Sequence, residues 1–466
     1  MLIKIRFLRL VLRASTRVAA ISLLFGFAAL FTRLEAQDRM FPPRLDLETA
    51  VDKTLDSNPE TKRAETETKV AELSIEGARL GKKPSFEFSQ QFTRSNNPTF
   101  VFASLLEQGR FGASNFAVDT LNHPDGVNNF RTMFSARMPL YDGHKTRTRV
   151  SQAELQKEQS DLKVEAMRQE LRFNVVRTYF AAVLGREMVK VSEDAMKAAE
   201  SNRKKTRDMV DVGMTTEADY LAADVELAHT GQQKIEAESG LITTLETLNV
   251  MMGDEPGFEK EITGTLTERY FPIEERDDLI RIAFENRLDL KMADLGIRNS
   301  KISTQSVVDE KLPSVNAFAN FGYSSPYIAN GSSDYTVGVN LTYTLFDAGR
   351  KNRLAKSTEG ETIAELEKRS LENKIRIEVI SALQANKTAK AKIEVSIKSI
   401  AHAEEALRII QDRYKFGLTT ITEVLRAEAA LVRSKHSLLA ARYEYLVSHA
   451  QVLLVTGRLN DVKAFE

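Results

Sequence analysis

The run from Asp334 to Arg350 restricts the fold more than any other stretch. Tyr335, Val337, Val339, Leu341, Tyr343 and Leu345 alternate there with Thr336, Gly338, Asn340, Thr342 and Thr344. Strict alternation makes a strand with one apolar face and one wet face. The predicted strand, about 334–347, has 14 residues, whereas a tilted strand needs roughly 9–11 to cross a bilayer. Asp347-Ala348-Gly349 ends the alternation. From there to Gly417 the chain holds no Pro and a single Gly, Gly360, and is rich in Ala, Glu, Lys, Leu and Ile. A helix of that length extends on the order of 100 Å at 1.5 Å per residue. A strand of membrane dimensions that launches so long a helix governs how the rest of the chain is read.

Composition excludes several classes. The 65 basic and 65 acidic residues cancel, so the basic excess of a nucleic-acid binder is missing. The chain has no Cys, which removes disulfides, thiolate catalysis, cysteine metal sites and lipid attachment. The six His are scattered, and His144, His229, His402 and His436 fall in helical, charged contexts without metal-ligand spacing. The Met residues are also dispersed, and the one adjacent pair, Met251-Met252, reads as core packing. No nucleophile motif or phosphate loop appears, so no catalytic, cofactor or metal site and no enzyme activity is expected.

The N-terminus carries Lys4, Arg6, Arg9, Arg13 and Arg17 before an apolar run, Val18 to Phe31. Leu34-Glu35-Ala36 follows. This layout predicts a secretory signal over 1–36 with cleavage at Ala36. No other segment approaches the ~18 apolar residues of a spanning helix, so membrane residence would require a barrel.

The rest reads as one plan used twice: a first repeat over 37–253, a linker over 254–278, a second repeat over 279–457 and a tail over 458–466. Lys83-Pro84-Ser85 and Leu312-Pro313-Ser314 open corresponding strands, Asp142 corresponds to Asp347, and Gly213 and Gly253 to Gly417 and Gly457. Each half is helix, helix, strand, loop, strand, very long helix and return helix, with strands expected at about 85–94, 131–142, 314–324 and 334–347. The length difference falls in the strand connection 94–130, which is apolar for a surface loop (Phe100, Phe102, Phe111, Phe116). The return helices carry heptads. Val424, Leu431, Leu438, Tyr445 and Val452 form one register, and Leu425, Val432, Leu439, Leu446 and Leu453 form the next. Ala427, Ser434, Ala441 and Ser448 add a small register, matched by Ala223, Thr230, Ala237 and Thr244. Two adjacent apolar registers predict a helix packed on two neighbours, as in a cylinder wall. Hairpin tips are expected at Gly213 and Gly417, with positive φ at each. The linker is expected as a belt around the cylinder, with the tail in the same zone. Four strands leave two open edges, which a bilayer does not permit, so chains must combine.

The chain resembles the TolC-type outer-membrane efflux protein family. Pro139-Leu140-Tyr141-Asp142-Gly143 and Leu345-Phe346-Asp347-Ala348-Gly349 resemble its strand-to-helix corner. Arg413-Tyr414-Lys415-Phe416-Gly417-Leu418-Thr419-Thr420-Ile421-Thr422-Glu423-Val424-Leu425 and Val212-Gly213-Met214-Thr215-Thr216-Glu217-Ala218-Asp219-Tyr220-Leu221 resemble its hairpin tips. The resemblance covers essentially the whole chain after the leader. It implies a mixed α and β fold. A homotrimeric twelve-stranded β-barrel, four strands per chain, would stand on a long α-helical coiled-coil tunnel with an internal two-fold repeat. It also implies an exit duct of a tripartite efflux pump or type I secretion system. The partners would be outer-membrane lipid, a periplasmic adaptor and an inner-membrane pump. Asp219 and Glu423, each six residues past a tip glycine, match the family's constriction carboxylates. Tyr414 matches a residue that ties the closed tip. The family's second acidic position is Arg426 here, expected to pair with Glu423, and Ala222 in the first half. The tips around Gly213, Met214, Gly417 and Leu418 would dock the adaptor. The alternative is a trimeric adhesive or structural protein that uses the barrel only as an anchor.

Overall fold

The computed structural model describes residues 44–257, 260–266, 269–328 and 331–465. The leader expected over 1–36, with its cleavage at Ala36, lies outside the described residues. The elements follow in order as β1 (Arg44–Leu45), α1 (Leu47–Ser57), α2 (Pro59–Arg79), β2 (Ser85–Ser95), α3 (Pro98–Glu107), α4 (Val118–Asn122), β3 (Val127–Tyr141), α5 (Lys145–Asp211) and α6 (Glu217–Met251). Then come β4 (Glu261–Ile262), α7 (Arg276–Asn286), α8 (Leu288–Asp309), β5 (Ser314–Ser325), β6 (Ser332–Thr342), α9 (Arg350–Lys415) and α10 (Ile421–Val455).

The short helices are set by local signals. Asp46 caps α1 by accepting from the Thr49 amide at 2.7 Å. Asn58 ends α1 and caps α2 through the Glu60 amide at 2.9 Å, with Pro59 at the first helical position. The long helices need no internal signal, because Ala, Glu, Lys and Leu dominate them and proline is absent. The 67-residue α5 and the 66-residue α9 each reach about 100 Å.

The helices form one wall. α5 packs against α6, α2, α10 and α8, and α9 packs against α10, α8 and α7. Each long helix is therefore flanked along part of its length by a return helix and along the rest by a short one. Leu425, Leu446, Val424, Tyr445 and Val452 are buried in α10, so both apolar registers face protein. The outer sides of the wall are α6 and α9, and both leave apolar rows in solvent: Leu221, Ile235 and Ile242 on one, Ile363, Ile377 and Val395 on the other.

The four-stranded sheet is antiparallel with order β2-β3-β5-β6. Its register places Phe88, Phe134, Phe321 and Tyr335 side by side on one face. Phe86, Ala136, Ala319 and Val337 form the next row of that face. The opposite face carries Glu87, Ser135, Asn320 and Thr336 in one row. The apolar face is bare: Phe86 and Tyr335 are each 80% exposed. Pro139 sits where the pairing of β3 with β5 slips, a bulge that accommodates its missing amide donor.

Two expectations need correction. The strand expected over 334–347 runs from Ser332 to Thr342. Thr342 pairs with Ser314, the first residue of β5, and Pro313 before it offers no amide, so Tyr343 to Asp347 have no strand to pair with. Alternation reports which face is apolar, not where the partner strand ends. The connection expected as a loop, 94–130, holds two helices and a 3-10 turn at Ala113–Phe116, and β3 begins at Val127.

The main core lies where the linker meets the long helices. Val175, Val176, Tyr179, Val183, Leu248, Leu446 and Leu459 are essentially solvent-free there, joined by Ile262, Leu266 and Phe465. β1 and β4 pair in parallel. Tyr179 donates to the Leu45 carbonyl at 3.1 Å and accepts from the Gly264 amide at 3.0 Å. A Cβ on Gly264 would stand 2.7 Å from the Tyr179 ring, so only glycine lets the linker press this close. Phe271 stacks on His449 at 4.5 Å. Burial, then the nearby Arg458, push His449 down to about 4, which keeps it neutral. Tyr179→Phe leaves the Gly264 amide unpaired and should cost about 1–3 kcal/mol. Limited proteolysis should show faster cleavage in the linker with the long helices intact.

Candidate functional site

The two ends of the wall carry the functional features. At one end each long helix reverses at a glycine. Gly213 has φ +75° and Gly417 φ +69°. The Gly213 amide bonds the Val210 carbonyl at 2.9 Å and the Met214 amide bonds Met209 at 2.8 Å. Gly417 and Leu418 repeat this on Tyr414 and Arg413 at 3.0 and 2.9 Å. Both are Schellman closures, which satisfy the last carbonyls of a helix. A Cβ at either glycine would meet nothing within 4 Å, so backbone conformation alone demands glycine. Val212, Met214, Phe416 and Leu418 stand exposed around the turns.

The first tip re-enters helix through a side-chain cap, whereas Thr420 before α10 makes no side-chain cap bond. Thr216 caps α6: its hydroxyl accepts from the Asp219 amide at 3.3 Å and donates to the Asp219 carboxylate at 2.8 Å. The Thr215 hydroxyl donates to the same carboxylate at 2.6 Å. That bond holds Asp219 below the usual carboxylate range, against desolvation that pushes it up. Asp219 is thus committed to the helix start. Glu423 pairs with Arg426 at 2.8 Å, with both side chains largely exposed. Exposed pairs of this kind contribute about 0–1 kcal/mol, so the pair orients Glu423 more than it stabilises the fold.

The two tips meet through a small cluster in which Ala223 of α6 packs with Ile421, Val424 and Leu425 of α10, and Tyr414 lies against it. The Tyr414 hydroxyl is 3.4 Å from the Thr206 hydroxyl, which already donates to the Asn202 carbonyl at 2.8 Å. Tyr414 is therefore the donor across this contact. Glu428 is a linking residue that the sequence reading missed. It accepts from Asn202 at 2.6 Å and from Gln411 at 3.4 Å, joining α5, α9 and α10. Burial raises its pKa, while the two amides work the other way. The available signal was a carboxylate seven residues after the buried Ile421, hence in a seam register.

At the other end, strand turns into helix. The Asp142 carboxylate accepts from the Thr146 amide at 2.7 Å, and Gly143 and His144 take φ of +62° and +68°. Asp347 accepts from the Gly349 amide at 2.8 Å and pairs with Arg353. Gly349 has φ −75°, so the two corners share an aspartate that accepts a backbone amide but not a backbone shape, and only Asp142 reaches an amide inside its helix.

The family model described as outer membrane efflux protein matches residues 50–254 and 279–458, which takes in both tips and the sheet. The chain belongs to that family. TolC of Vibrio cholerae is 23% identical over 322 residues, 66% of this chain and 72% of that protein. The proteases secretion protein PrtF of Dickeya chrysanthemi is 24% identical over 353 residues, 72% and 74% of the two chains. The solved structure of CusC superposes with a TM-score of 0.73 at 14% identity, over 90% of this chain and 94% of that one. The chain is an outer-membrane exit duct for efflux or type I secretion, from a family of channels rather than enzymes. Among the described residues no helix is long and apolar enough to cross a membrane, and no acid/imidazole cluster could hold a metal.

Two glycine substitutions separate backbone strain from packing. Gly417→Ala should lose about 1–2 kcal/mol locally from its left-handed backbone, seen as faster amide exchange over 413–425. Gly360→Ala lies within α9 with nothing within 4 Å and should stabilise by about 0.5–1 kcal/mol.

Proposed function

We propose that three copies of the chain close into a homotrimer: a twelve-stranded barrel in the outer membrane over a helical tunnel in the periplasm. The observation that carries this is the matching pair of open sides. The sheet ends in unpaired β2 and β6, and the helical wall ends in apolar rows on α6 and α9. Pairing β6 of one copy with β2 of the next removes both strand edges, as hydrocarbon demands. The same rotation brings α9 of one copy against α6 of the next and covers both rows. The bare aromatic face then meets lipid and the polar face lines a water-filled lumen. The recurrence of helix, helix, strand, strand, long helix and return helix over 47–251 and 276–455 supports an internal two-fold repeat. That repeat brings each copy's two hairpins to the tunnel mouth in equivalent positions. The linker, packed with the tail against the long helices, forms the belt.

Transport in this reading is passive. The lumen conducts what an inner-membrane pump delivers through a periplasmic adaptor. The adaptor docks on the exposed tips around Gly213, Met214, Gly417 and Leu418, where clustered apolar residues mark a protein contact. Asp219 and Glu423 ring the constriction and favour cations. Arg426 and the caps hold those carboxylates in place, and Tyr414 restrains opening.

Single-channel recording of the purified trimer tests this. Wild type should give a small, cation-selective conductance. Asp219→Asn with Glu423→Gln should lower the cation preference, and Tyr414→Phe should raise open probability modestly, since a bond of this kind contributes only about 0.5–1.5 kcal/mol. Unchanged selectivity would remove the tip carboxylates from the mechanism. Absence of a trimer, or of any conductance even with Tyr414→Phe, would overturn the duct in favour of a membrane-anchored structural protein.

A further inference from the structure

Residues 96–126, inserted between β2 and β3, are the largest feature that the duct reading leaves unused. They form a small folded unit. Phe102, Phe111 and Phe116 meet edge to face, with ring centroids 4.9 and 5.0 Å apart. Asn97 caps α3 through the Thr99 and Phe100 amides at 3.1 and 3.3 Å. The unit is attached at the end of the sheet remote from the long helices.

The face on which it rests is the informative point. Glu107, the last residue of α3, bonds Arg131 of β3 at 2.6 Å and accepts from Ser324 of β5 at 3.2 Å. Arg131 also pairs with Asp334 of β6 at 3.4 Å. Gln108 donates to the Asn129 side chain at 3.0 Å and to the Asn128 carbonyl at 2.8 Å. By strand register Asn129, Arg131, Ser324 and Asp334 all lie on the polar face. The seat is built rather than incidental, because Ser104, Gln108, Asn129 and Ser324 are buried by it. α3 lies across β3, β5 and β6. Its ten residues span about 15 Å, close to the width of three strands spaced about 4.8 Å apart.

We propose that residues 96–126 fold inward and form a constriction at the outer mouth of the duct, latched to the lumen wall by Glu107 on Arg131. This rests on the reading above that the polar face lines the lumen. Three copies of the unit narrow the exit, so the duct has a size limit at its outer end independent of the periplasmic tip. The limit applies to what leaves and to what enters from outside.

Conductance alone cannot isolate this element, because the tip lies in series with it. Cysteine labelling from outside can. The chain has no Cys, so Ser135→Cys gives a single reactive site. Ser135 is on the polar face, opposite Glu87 and Asn320 and four residues inward from Arg131. Intact cells carrying this variant are treated with a small hydrophilic maleimide or with one bearing a bulky polymer tail. With the insertion present, the bulky reagent should react at least about tenfold more slowly than the small one, a difference of about 1.4 kcal/mol in barrier. Replacing 96–126 by Asn-Gly should abolish the difference. Ser95 pairs directly with Val127, so a two-residue turn closes the hairpin. Glu107→Arg sets two guanidinium groups together and should also abolish it, and decides the matter if the shortened chain does not assemble. Equal rates with the insertion intact, or an unchanged difference without it, would overturn the constriction. Recovery in the shortened chain but not in Glu107→Arg would overturn the latch. If only a lipid-partitioning maleimide reacts, even in the shortened chain, the polar face does not line water and the duct reading itself falls.

Discussion

A backbone amide in hydrocarbon must find its partner within protein, because no water is there to replace it. That requirement organises this molecule. Helices could meet it alone, yet none of the described helices is long and apolar enough to cross a membrane. In the proposed assembly the four strands carry the membrane contact, and they meet the requirement only in their interior pairs. β2 and β6 each keep an unpaired edge, and the proposed trimer is the arrangement that pairs both. The exposed apolar rows on α6 and α9 express the same incompleteness in the helical wall, where the unmet demand is burial rather than hydrogen bonding.

Strand and helix are joined by inexpensive local chemistry. At both corners an aspartate accepts a backbone amide at the entry to a helix of more than sixty residues. Such helices gain little from any single cap. Their stability comes from lateral packing, which is why the core concentrates where the linker and the tail meet α5 and the return helices α6 and α10. The tips are the reverse case. Little is buried there, and the reversals depend on two glycines in a left-handed conformation and, at the first tip alone, on reciprocal threonine–aspartate bonds. An end held by backbone geometry and a few polar contacts is suited to opening when a partner binds the open state better.

The candidate site was legible in part. Gly213 and Gly417 were readable as turns because only glycine takes that conformation without cost. The Glu423–Arg426 pair was readable because residues three apart share a helix face. Asp219 was readable as an acid near a tip, but its engagement with Thr215 and Thr216 depends on side-chain directions that spacing does not report. Glu428 was missed because its partners Asn202 and Gln411 lie on two other helices. The insertion was readable as apolar, yet nothing in its order of residues said on which side of the sheet it would lie.

Periodicity alone determined the helices outside the insertion, the alternating strands, their order and the break points at Gly, Pro and Asp. These follow from local steric and hydrogen-bonding rules that act within a few residues. Tertiary structure decided what depends on residues far apart in the chain. β6 stops at Thr342 because its neighbour starts at Ser314, although the alternation continues to Leu345. Gly264 lies against Tyr179 because the linker crosses α5 there. The unit 96–126 rests on the polar face because Glu107 finds Arg131 and Ser324. Each of these is a matching of two distant surfaces, and only the folded chain brings the two halves of the match together.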